Sequence, residues 1–362
     1  MNSIQKRYKP IVYWHIVSIV MLYLTMQISI SIDAQDTFLY TEIARFDTDW
    51  TTIASLDWNP DGTQLALGMC GVEEVRILNI ESGDYQAIPT QGRCAEIDWN
   101  KVSGRLAIVE DSAQCYNSQV LIWQPQRQQT VHTFEKRNCR GSIQSIQWNA
   151  DGTQLLIFDG MSVQLWDIET DPVETILGIN RDDQRMAAVA LSPDDTQLAL
   201  ADNHNDPEIL PSVDVMDIVS GEIVQQFTDE GASSLLELQD FLSWSPEGNI
   251  LAALLTDLGG RGSMVFWDVE SEERIFRSRS STIAWHPTEN YIALNVVPDD
   301  AGQGAYKDIF VREIGGDVVA TLTGHQGEVF VLEWSPDGTM LASFSDDGTI
   351  RIWERQSDDS DE

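Results

Sequence analysis

Residues 332–343 read LEWSPDGTMLAS, and residues 56–67, LDWNPDGTQLAL, repeat the same pattern. Each stretch sets an apolar, alternating segment on either side of a Pro-Asp-Gly turn, which predicts a β-hairpin. Self-similarity at a nearly fixed period indicates a repeat architecture. Five further copies lie between these two, which makes seven in all: IDWNKVSGRLAI at 97–108, IQWNADGTQLLI at 146–157, VALSPDDTQLAL at 189–200, LSWSPEGNILAA at 242–253 and IAWHPTENYIAL at 283–294.

Each unit carries a marker residue, and successive markers lie 41 to 53 residues apart. The markers are Trp58, Trp99, Trp148, Leu191, Trp244, Trp285 and Trp334. In every unit the first apolar residue after the turn follows the marker by seven positions. A slip of one residue would turn the apolar face toward water, so this constancy indicates a buried hairpin of fixed register. A third apolar segment, such as VQLWDI at 163–168, and then a fourth complete each unit, which predicts a four-stranded sheet.

These repeats resemble those of the WD-repeat family. Trp166-Asp167 and Trp267-Asp268 match the dipeptide that names the family, and Thr323-Gly324-His325 matches its Gly-His element. The resemblance implies an all-β, seven-bladed β-propeller of four-stranded blades. It also implies a structural, hydrogen-bonded tetrad in the last blade, made of His325, Ser343, Asp347 and Trp353. We therefore expect His325 to be structural and not catalytic.

The seventh unit ends after its third segment, because only residues 354–362 follow Trp353. A propeller must close its ring or leave sheet edges open. The stretch FLYTEIARF at 38–46 precedes the first unit, and we expect it to supply the missing outer strand, which is the usual closure in the family that the repeats resemble. The predicted propeller spans residues 35–357, followed by an acidic tail at 358–362. Its repeats start near residues 53, 94, 143, 186, 239, 280 and 329.

The first 34 residues are predicted to be a targeting segment. Lys6, Arg7 and Lys9 precede an uncharged apolar run at 11–32, and Ala34 suits the position before a cleavage site. The run is also long enough to span a bilayer as an uncleaved anchor. A buried helix of the fold is the alternative, which seven repeats make unnecessary. With no N-x-[ST] sequon in the chain, we expect a bacterial-type protein that is secreted or periplasmic, or anchored with its bulk outside the cytoplasm.

The four cysteines form two pairs of equal spacing, Cys70 with Cys94 and Cys115 with Cys139. In each pair the first cysteine ends a second strand and the other precedes the next blade. We expect these pairs to be disulfides in an oxidising compartment, with Cys94–Cys115 as the alternative connection. Free thiols are a further alternative. A zinc site is disfavoured because the sequence has no C-x-x-C pair and no neighbouring histidines.

The chain carries 58 acidic and 22 basic residues, a formal net charge of −36. Nucleic-acid binders carry basic faces, so this balance argues against that class and also disfavours adsorption to anionic lipid. We expect no nucleic-acid partner, membrane contact only through residues 11–32, and a monomer that its charge keeps soluble. A cationic partner or bound divalent ions are alternative reasons for the acidity.

Length variation falls between second and third strands, as at 202–212, 256–263 and 298–308, and between blades, as at 229–240. In a propeller both kinds of connection emerge on one face, the top. Variable loops on a rigid scaffold are where binding usually resides, so we predict a protein or peptide partner there; neutral drift is the alternative. The predicted partner-binding residues are aromatic or Arg residues of these loops: Tyr116, Arg140, Arg261 and Tyr306.

The sequence contains no nucleophile elbow, no phosphate-binding P-loop and no H-E-x-x-H pair. We therefore expect no catalytic residue, no cofactor and no metal site. The loop at 202–206, DNHND, is rich in oxygen ligands suited to Ca²⁺, but it lacks the Gly and Glu of an EF-hand, which favours an ordinary polar loop. The alternative functions are a propeller enzyme, a cofactor- or metal-binding protein that uses the central channel, or a periplasmic propeller similar to TolB.

Overall fold

Each of the seven repeated hairpins belongs to its own antiparallel sheet in the computed structural model of the chain. The structure describes residues 38–48, 52–91, 96–110, 118–136, 142–170, 172–178, 184–204, 211–230, 232–235, 242–257, 262–295 and 306–356. The protein is an all-β, seven-bladed propeller, as the repeats predict.

We name the strands of each blade A to D, from the inner to the outer edge. Blade 1 contains Thr52–Trp58, Gln64–Cys70, Glu74–Asn79 and Tyr85–Pro89. Blade 2 contains Ile97–Trp99, Leu106–Glu110, Gln119–Gln124 and Gln129–Glu135, with one turn of 3-10 helix at Pro125–Arg127. Blade 3 contains Ser145–Trp148, Gln154–Phe158, Ser162–Asp167 and Val173–Gly178. Blade 4 contains Gln184–Leu191, Gln197–His204, Ser212–Asp217 and Ile223–Thr228.

Blade 5 contains Ala232–Leu235 and Leu242–Trp244 at its inner edge, then Ile250–Asp257, Gly262–Asp268 and Arg274–Ser278. Blade 6 contains Ile283–Trp285, Tyr291–Asn295, Ile309–Glu313 and Val318–Leu322. Blade 7 contains Val329–Trp334, Met340–Ser345 and Thr349–Arg355, and its strand D is Tyr40–Asp47.

The ring is closed by the N-terminal strand, as predicted. Tyr40–Asp47 pairs antiparallel with Thr349–Arg355, with a bulge between Glu42 and Ala44. An ion pair joins the two strands, because the Arg351 guanidinium donates to the Glu42 carboxylate at 2.6 Å. This pairing gives blade 7 four strands, and it covers the edge of Thr349–Arg355 that would otherwise be unpaired.

The position seven residues after each marker is the centre of the core. Its seven residues are all 0% exposed: Leu65, Leu106, Leu155, Leu198, Leu251, Ile292 and Leu341. Burial of one such side chain contributes about 2 kcal/mol to the stability of the fold. The constant spacing in the sequence therefore corresponds to the same complete burial in every blade. A register slip of one residue would expose these side chains.

Four of the marker tryptophans connect their blade to the preceding one. Their indole N–H groups donate across the blade boundary, from Trp58 to Glu333 O (3.1 Å), Trp148 to Asp98 O (3.0 Å), Trp244 to Ala190 O (3.1 Å) and Trp285 to Ser243 Oγ (2.8 Å). Because these bonds link inner strands, they set the spacing of the blades around the central channel. The A strands of neighbouring blades are in contact around the ring.

The two faces of the disc follow from strand direction. Neighbouring strands are antiparallel, so A–B and C–D turns lie at one end of each blade, which we call the bottom face. The B–C connections and the links from strand D to the next strand A lie at the other end, the top face. Strand A of every blade therefore runs from top to bottom beside the channel.

Turns of the bottom face interlock between blades. The Asn100 side-chain amide donates to Gly152 O at 2.8 Å, in the A–B turn of the next blade. His286 does the same in blade 6: its Nδ1 accepts the Glu289 N–H at 3.0 Å, so Nε2 carries the proton and donates to Gly338 O at 3.1 Å. Both glycines have positive φ, 71° and 72°, and a Cβ on either would overlap the side chain that contacts it.

Two of the predicted top loops are shorter than the sequence indicates. In blade 4 the ladder continues until Asp202 pairs with Ser212, and strand B ends at His204. In blade 5 Thr256 pairs with Gly262, so only 258–261 separate strands B and C. Continued pairing satisfies backbone N–H and C=O groups that a loop would leave to solvent. The inserted residues thus lengthen the hairpins as well as the loops.

Blade 5 has a divided inner edge, which the repeat pattern does not predict. Ala232–Leu235 and Leu242–Trp244 both pair with Ile250–Asp257, which is long enough to accommodate the two segments. Part of the insertion at 229–240 is therefore strand. The added segment extends the inner edge of the blade toward the top face.

Replacement of the buried turn glycine should weaken the contact between blades 6 and 7. We expect Gly338→Ala to lower the free energy of unfolding by about 3 kcal/mol, because Ala disfavours positive φ and its Cβ displaces the His286 ring. Gly221→Ala is the matched control: it has φ 70° in an outer turn, with nothing within 4 Å of the added Cβ. It should cost only about 1 kcal/mol. Equal losses in urea denaturation would contradict the interlocking of the turns.

Candidate functional site

Blade 7 contains a Ser-His-Asp arrangement built from three of the tetrad positions. His325 Nδ1 lies 3.0 Å from an Asp347 carboxylate oxygen, and Nε2 lies 2.8 Å from Ser343 Oγ. Since a carboxylate only accepts hydrogen bonds, Nδ1 carries the proton and Nε2 accepts from the serine hydroxyl. The Trp353 indole N–H donates to the same Ser343 Oγ at 2.9 Å. The structure thus brings all four predicted tetrad residues into one hydrogen-bonded chain.

Burial makes this arrangement structural. Ser343 is 0% exposed and His325 is 1% exposed, so no substrate atom reaches the hydroxyl. Ser343 Oγ also holds the Trp353 indole, which packs across the His325 ring. Burial lowers the pKa of His325 to about 4, despite the neighbouring Asp347 carboxylate, so the imidazole is neutral at pH 7. A closed hydrogen-bonded chain of this kind joins strands B and C to the link from blade 6.

A pair of carboxylates at the lower end of strand A is also held by structural contacts. Asp57 accepts the Trp99 backbone N–H and the Lys101 ammonium group, while Asp98 accepts the Trp148 backbone N–H at 2.5 Å. Burial, and then the Asp57 carboxylate, raise the pKa of Asp98 to about 7. Although carboxyl pairs with a shifted pKa often mark acid–base sites, these oxygens accept hydrogen bonds from donors of blades 2 and 3. They connect blades 1, 2 and 3 and leave no open position for a reacting group.

A cleft of ≈ 200 Å³ lies between the closing strand and blade 1. Its floor is apolar, with Phe46, Leu67 and Met69 among the lining residues. The Arg76 guanidinium at its rim is already engaged: it stacks on the Tyr85 ring at 4.4 Å and pairs with Glu74 at 2.6 Å. The cleft therefore has an apolar floor, and Asp47 places a carboxylate among its described lining residues.

Of the four predicted partner-binding residues, Tyr306 is within the described part of the chain. It is half-buried at the end of the B–C connection of blade 6, and its C=O accepts the Val329 N–H at 3.0 Å. This bond attaches the top connection of blade 6 to strand A of blade 7. Tyr116, Arg140 and Arg261 lie outside the described residues, so their placement on the top face stays a prediction.

Cys70 ends strand B of blade 1, as predicted, and is disulfide-bonded. Cys94, Cys115 and Cys139 lie outside the described residues. The two predicted pairings therefore stay predictions.

No group of three or more His, Cys, Asp or Glu side chains suited to a metal ion occurs within the ranges that the structure describes. In the segment predicted as a possible Ca²⁺ loop, 202–204 belong to a paired strand, and 205–206 fall outside the described residues. Within the described part of the chain, no helix has the length and apolarity needed to cross a membrane.

The last repeat matches a known family. Residues 316–354, from the outer strand of blade 6 to strand C of blade 7, match the profile "WD domain, G-beta repeat". The sequence repeat is offset by one strand from the blade, and residues 316–354 include His325, Ser343, Asp347 and Trp353.

Several known proteins are similar to this chain. WD repeat-containing protein slp1 of Schizosaccharomyces pombe is 30% identical over 121 residues, 32% of this chain. The WD repeat-containing protein 26 homolog of Arabidopsis thaliana is 24% identical over 64% of the chain. The uncharacterized WD repeat-containing protein sll1491 of Synechocystis is 34% identical over 32% of it. The matches cover 22%, 36% and 32% of the relatives' own lengths.

A solved structure shares the fold. A chain in the "Crystal Structure of Mitotic Checkpoint Complex" superposes with a TM-score of 0.64, covering 90% of this protein and 97% of that chain. Sequence identity is 18%, so the likeness concerns the propeller fold alone.

The tetrad predicts a pH dependence of stability. His325 titrates near pH 4 when folded and near its ordinary value of 6.5 when unfolded. Between these values the unfolded chain binds more protons, so stability falls as pH decreases, by at most about 3 kcal/mol. We expect His325→Gln to remove this part of the change between pH 7 and pH 4.5 in urea denaturation. His132→Gln, on the outer strand of blade 2, is the control; the same pH dependence in all three proteins would contradict a buried neutral His325.

Proposed function

We propose that this protein is an extracytoplasmic WD-repeat scaffold that binds a protein or peptide partner through its top face. It acts without a catalytic residue, cofactor or metal of its own, and as a monomer. The rigid propeller holds the top connections in a fixed arrangement, and those connections provide the contacts with the partner.

The difference between the two faces carries this proposal. On the bottom face, the A–B turns are engaged by neighbouring blades, as in the contacts of Asn100 with Gly152 and of His286 with Gly338. The top connections differ in length from blade to blade, so they are not constrained by one repeated contact. A surface free of that constraint can vary to fit a partner while the ring stays closed.

The similar proteins support a scaffold and not an enzyme. The last repeat matches the WD family, and the solved structure with this fold belongs to a multiprotein complex by its title. Two groups of side chains resemble catalytic sites, but their oxygens already accept hydrogen bonds from within the protein. Ser343 Oγ accepts the Trp353 indole N–H, and the Asp98 carboxylate accepts the Trp148 backbone N–H.

A location outside the cytoplasm is supported by two separate features. The positively charged and then apolar sequence at 1–34 has the order of a signal peptide or anchor. Cys70 is disulfide-bonded, and structural disulfides persist mainly in oxidising compartments.

Partner capture tests the top face against the bottom face. Full-length protein should retain a partner from an extract of its own source, and Tyr306→Ala or Arg261→Ala should reduce the recovered amount by about tenfold or more. Val102→Ser and Val219→Ser, which are 67% and 96% exposed in bottom turns, should recover as much as the wild type. Loss of the partner in the bottom variants, or no loss in variants at all four predicted top residues, would contradict the proposal.

The location has its own measurement. Intact mass of protein purified from its source should correspond to a chain starting at Gln35 if the leader is cleaved, or to the full chain in the membrane fraction if it is an anchor. Non-reducing mass analysis should also show Cys70 bonded in either case. A full-length chain with free thiols in the soluble cytoplasmic fraction would overturn the extracytoplasmic assignment.

A further inference from the structure

The inner strand of blade 7 carries a large apolar side chain that is exposed. Phe330 is the second residue of Val329–Trp334 and is 45% exposed, while the adjacent Val329 is fully buried. Because strand A begins at the top face beside the channel, the Phe330 side chain lies at the upper mouth of the channel. Aromatic side chains on a rigid strand contribute strongly to binding, since little conformational entropy is lost when they are covered.

No other described blade has a comparable residue there. The equivalent position, four residues before the marker, is small or polar in blades 1, 3, 4 and 6: Ala54, Gln144, Ala187 and Ser281. Phe330 therefore makes one side of the channel mouth apolar and protruding. The repeat itself does not require an aromatic residue at this position, because blades 1, 3, 4 and 6 form strand A with a small or polar residue there.

Two acidic residues lie at the top end of blade 7, where this strand begins. Glu328 lies two residues before Phe330, and its backbone C=O accepts the Asp346 N–H at 2.9 Å. Burial, and then the Asp346 carboxylate, raise the pKa of Glu328. The Ser281 hydroxyl, which accepts the Asn295 amide at 2.8 Å, hydrogen-bonds Glu328 and fixes its position. The Glu328 carboxylate is thus fixed two residues before the exposed Phe330, and the Asp346 carboxylate is close enough to raise its pKa.

These two carboxylates differ from others in the protein that pair with an arginine. Asp229 pairs with Arg274 at 2.7 Å, and Glu42 pairs with Arg351 at 2.6 Å. For Glu328 and Asp346, by contrast, the described residues provide no basic side chain as an ion-pair partner. A cation from outside the chain would therefore relieve their mutual repulsion.

We propose that Phe330, Glu328 and Asp346 form a docking site for a partner segment that presents an Arg or Lys side chain; this inference rests on the proposed function. The aliphatic part of that side chain packs on the Phe330 ring, and its charged end meets the two carboxylates. The net charge of −36 adds a long-range attraction for such segments.

Peptide binding tests the site directly. The probes are three fluorescein-labelled pools of random nonapeptides, with Arg, Leu or Glu fixed at the centre, measured by fluorescence polarisation on the full-length protein. We expect the Arg pool to bind at least about fivefold more tightly than the Glu pool in low salt, with the difference decreasing in high salt. Phe330→Ser should weaken the Arg pool by about fivefold, and the double variant E328Q/D346N should remove most of its advantage.

Matched variants separate this site from general charge and apolarity. Ile43→Ser removes an apolar side chain that is also 45% exposed, but on the closing strand at the outer edge of blade 7. E270Q/E272Q removes two exposed charges from a bottom turn of blade 5. Both controls should retain the preference for the Arg pool, and all variants should keep the wild-type melting temperature within the error of the measurement.

The outcomes distinguish this inference from the proposed function. If E328Q/D346N and E270Q/E272Q change binding equally, or if Ile43→Ser weakens it as much as Phe330→Ser, the docking site is wrong and net charge explains the preference. If the pools show no preference while the Tyr306 and Arg261 variants still lose the captured partner, the scaffold stands and the cationic segment is wrong. If no top variant affects capture, the proposed function itself fails.

Discussion

Closure of the ring is the constraint on which the rest of the structure depends. The last of the seven sheets has four strands, and the C-terminal part of the chain supplies three of them. Tyr40–Asp47 provides the fourth, so chain segments about three hundred residues apart form one sheet. The Glu42–Arg351 ion pair reinforces this connection, and Arg351 also approaches Asp347 of the tetrad at 3.8 Å. The closing strand is therefore physically coupled to the most regular repeat. Because unpaired strand edges invite association with other chains, the same pairing favours a stable single disc.

Much of the architecture could be predicted from the sequence because the relevant physics is local and repeated. The seven-residue spacing from marker to core position reflects the geometry of one hairpin, and each copy gives the same signal. The closing strand follows from a count of strands, and the tetrad follows from residues that match a known repeat. Leu191 shows the tolerance of this pattern: it stands at a Trp position, is 3% exposed, and keeps its backbone N–H bonded to Gln147 of the preceding blade at 2.9 Å.

Contacts between blades could not be predicted in the same way, because they join residues more than forty positions apart with no fixed spacing. The donors that occupy Asp57 and Asp98 come from other blades, and nothing in LDWN or IDWN reveals them. His286 replaces the Asn or Ser of other turns, yet its ring makes an equivalent inter-blade bond to Gly338.

The exposure of Phe330 could not be predicted from the sequence for a related reason. An aromatic residue in an alternating strand is usually core, and its exposure depends on which side of the inner edge it occupies. The first of the inserted residues at 202–212 extend strand B of blade 4, because strand A beside it is also long. Such an extension depends on two segments together and cannot be predicted from one of them alone.

The propeller thus combines a bottom face whose turns hold the blades together with a top face whose connections vary. Binding by such a protein depends on a closed ring, since an open ring would no longer hold Phe330 and the loops of blades 6 and 7 in one arrangement. Hydrogen–deuterium exchange of the native protein tests closure most directly. The account predicts that the backbone amides of 40–47 that face 349–355, about every second one, are protected to the same degree as the amides of 349–355, because each strand provides hydrogen-bond partners for the other. Rapid exchange throughout 40–47, with 349–355 still protected, would contradict it.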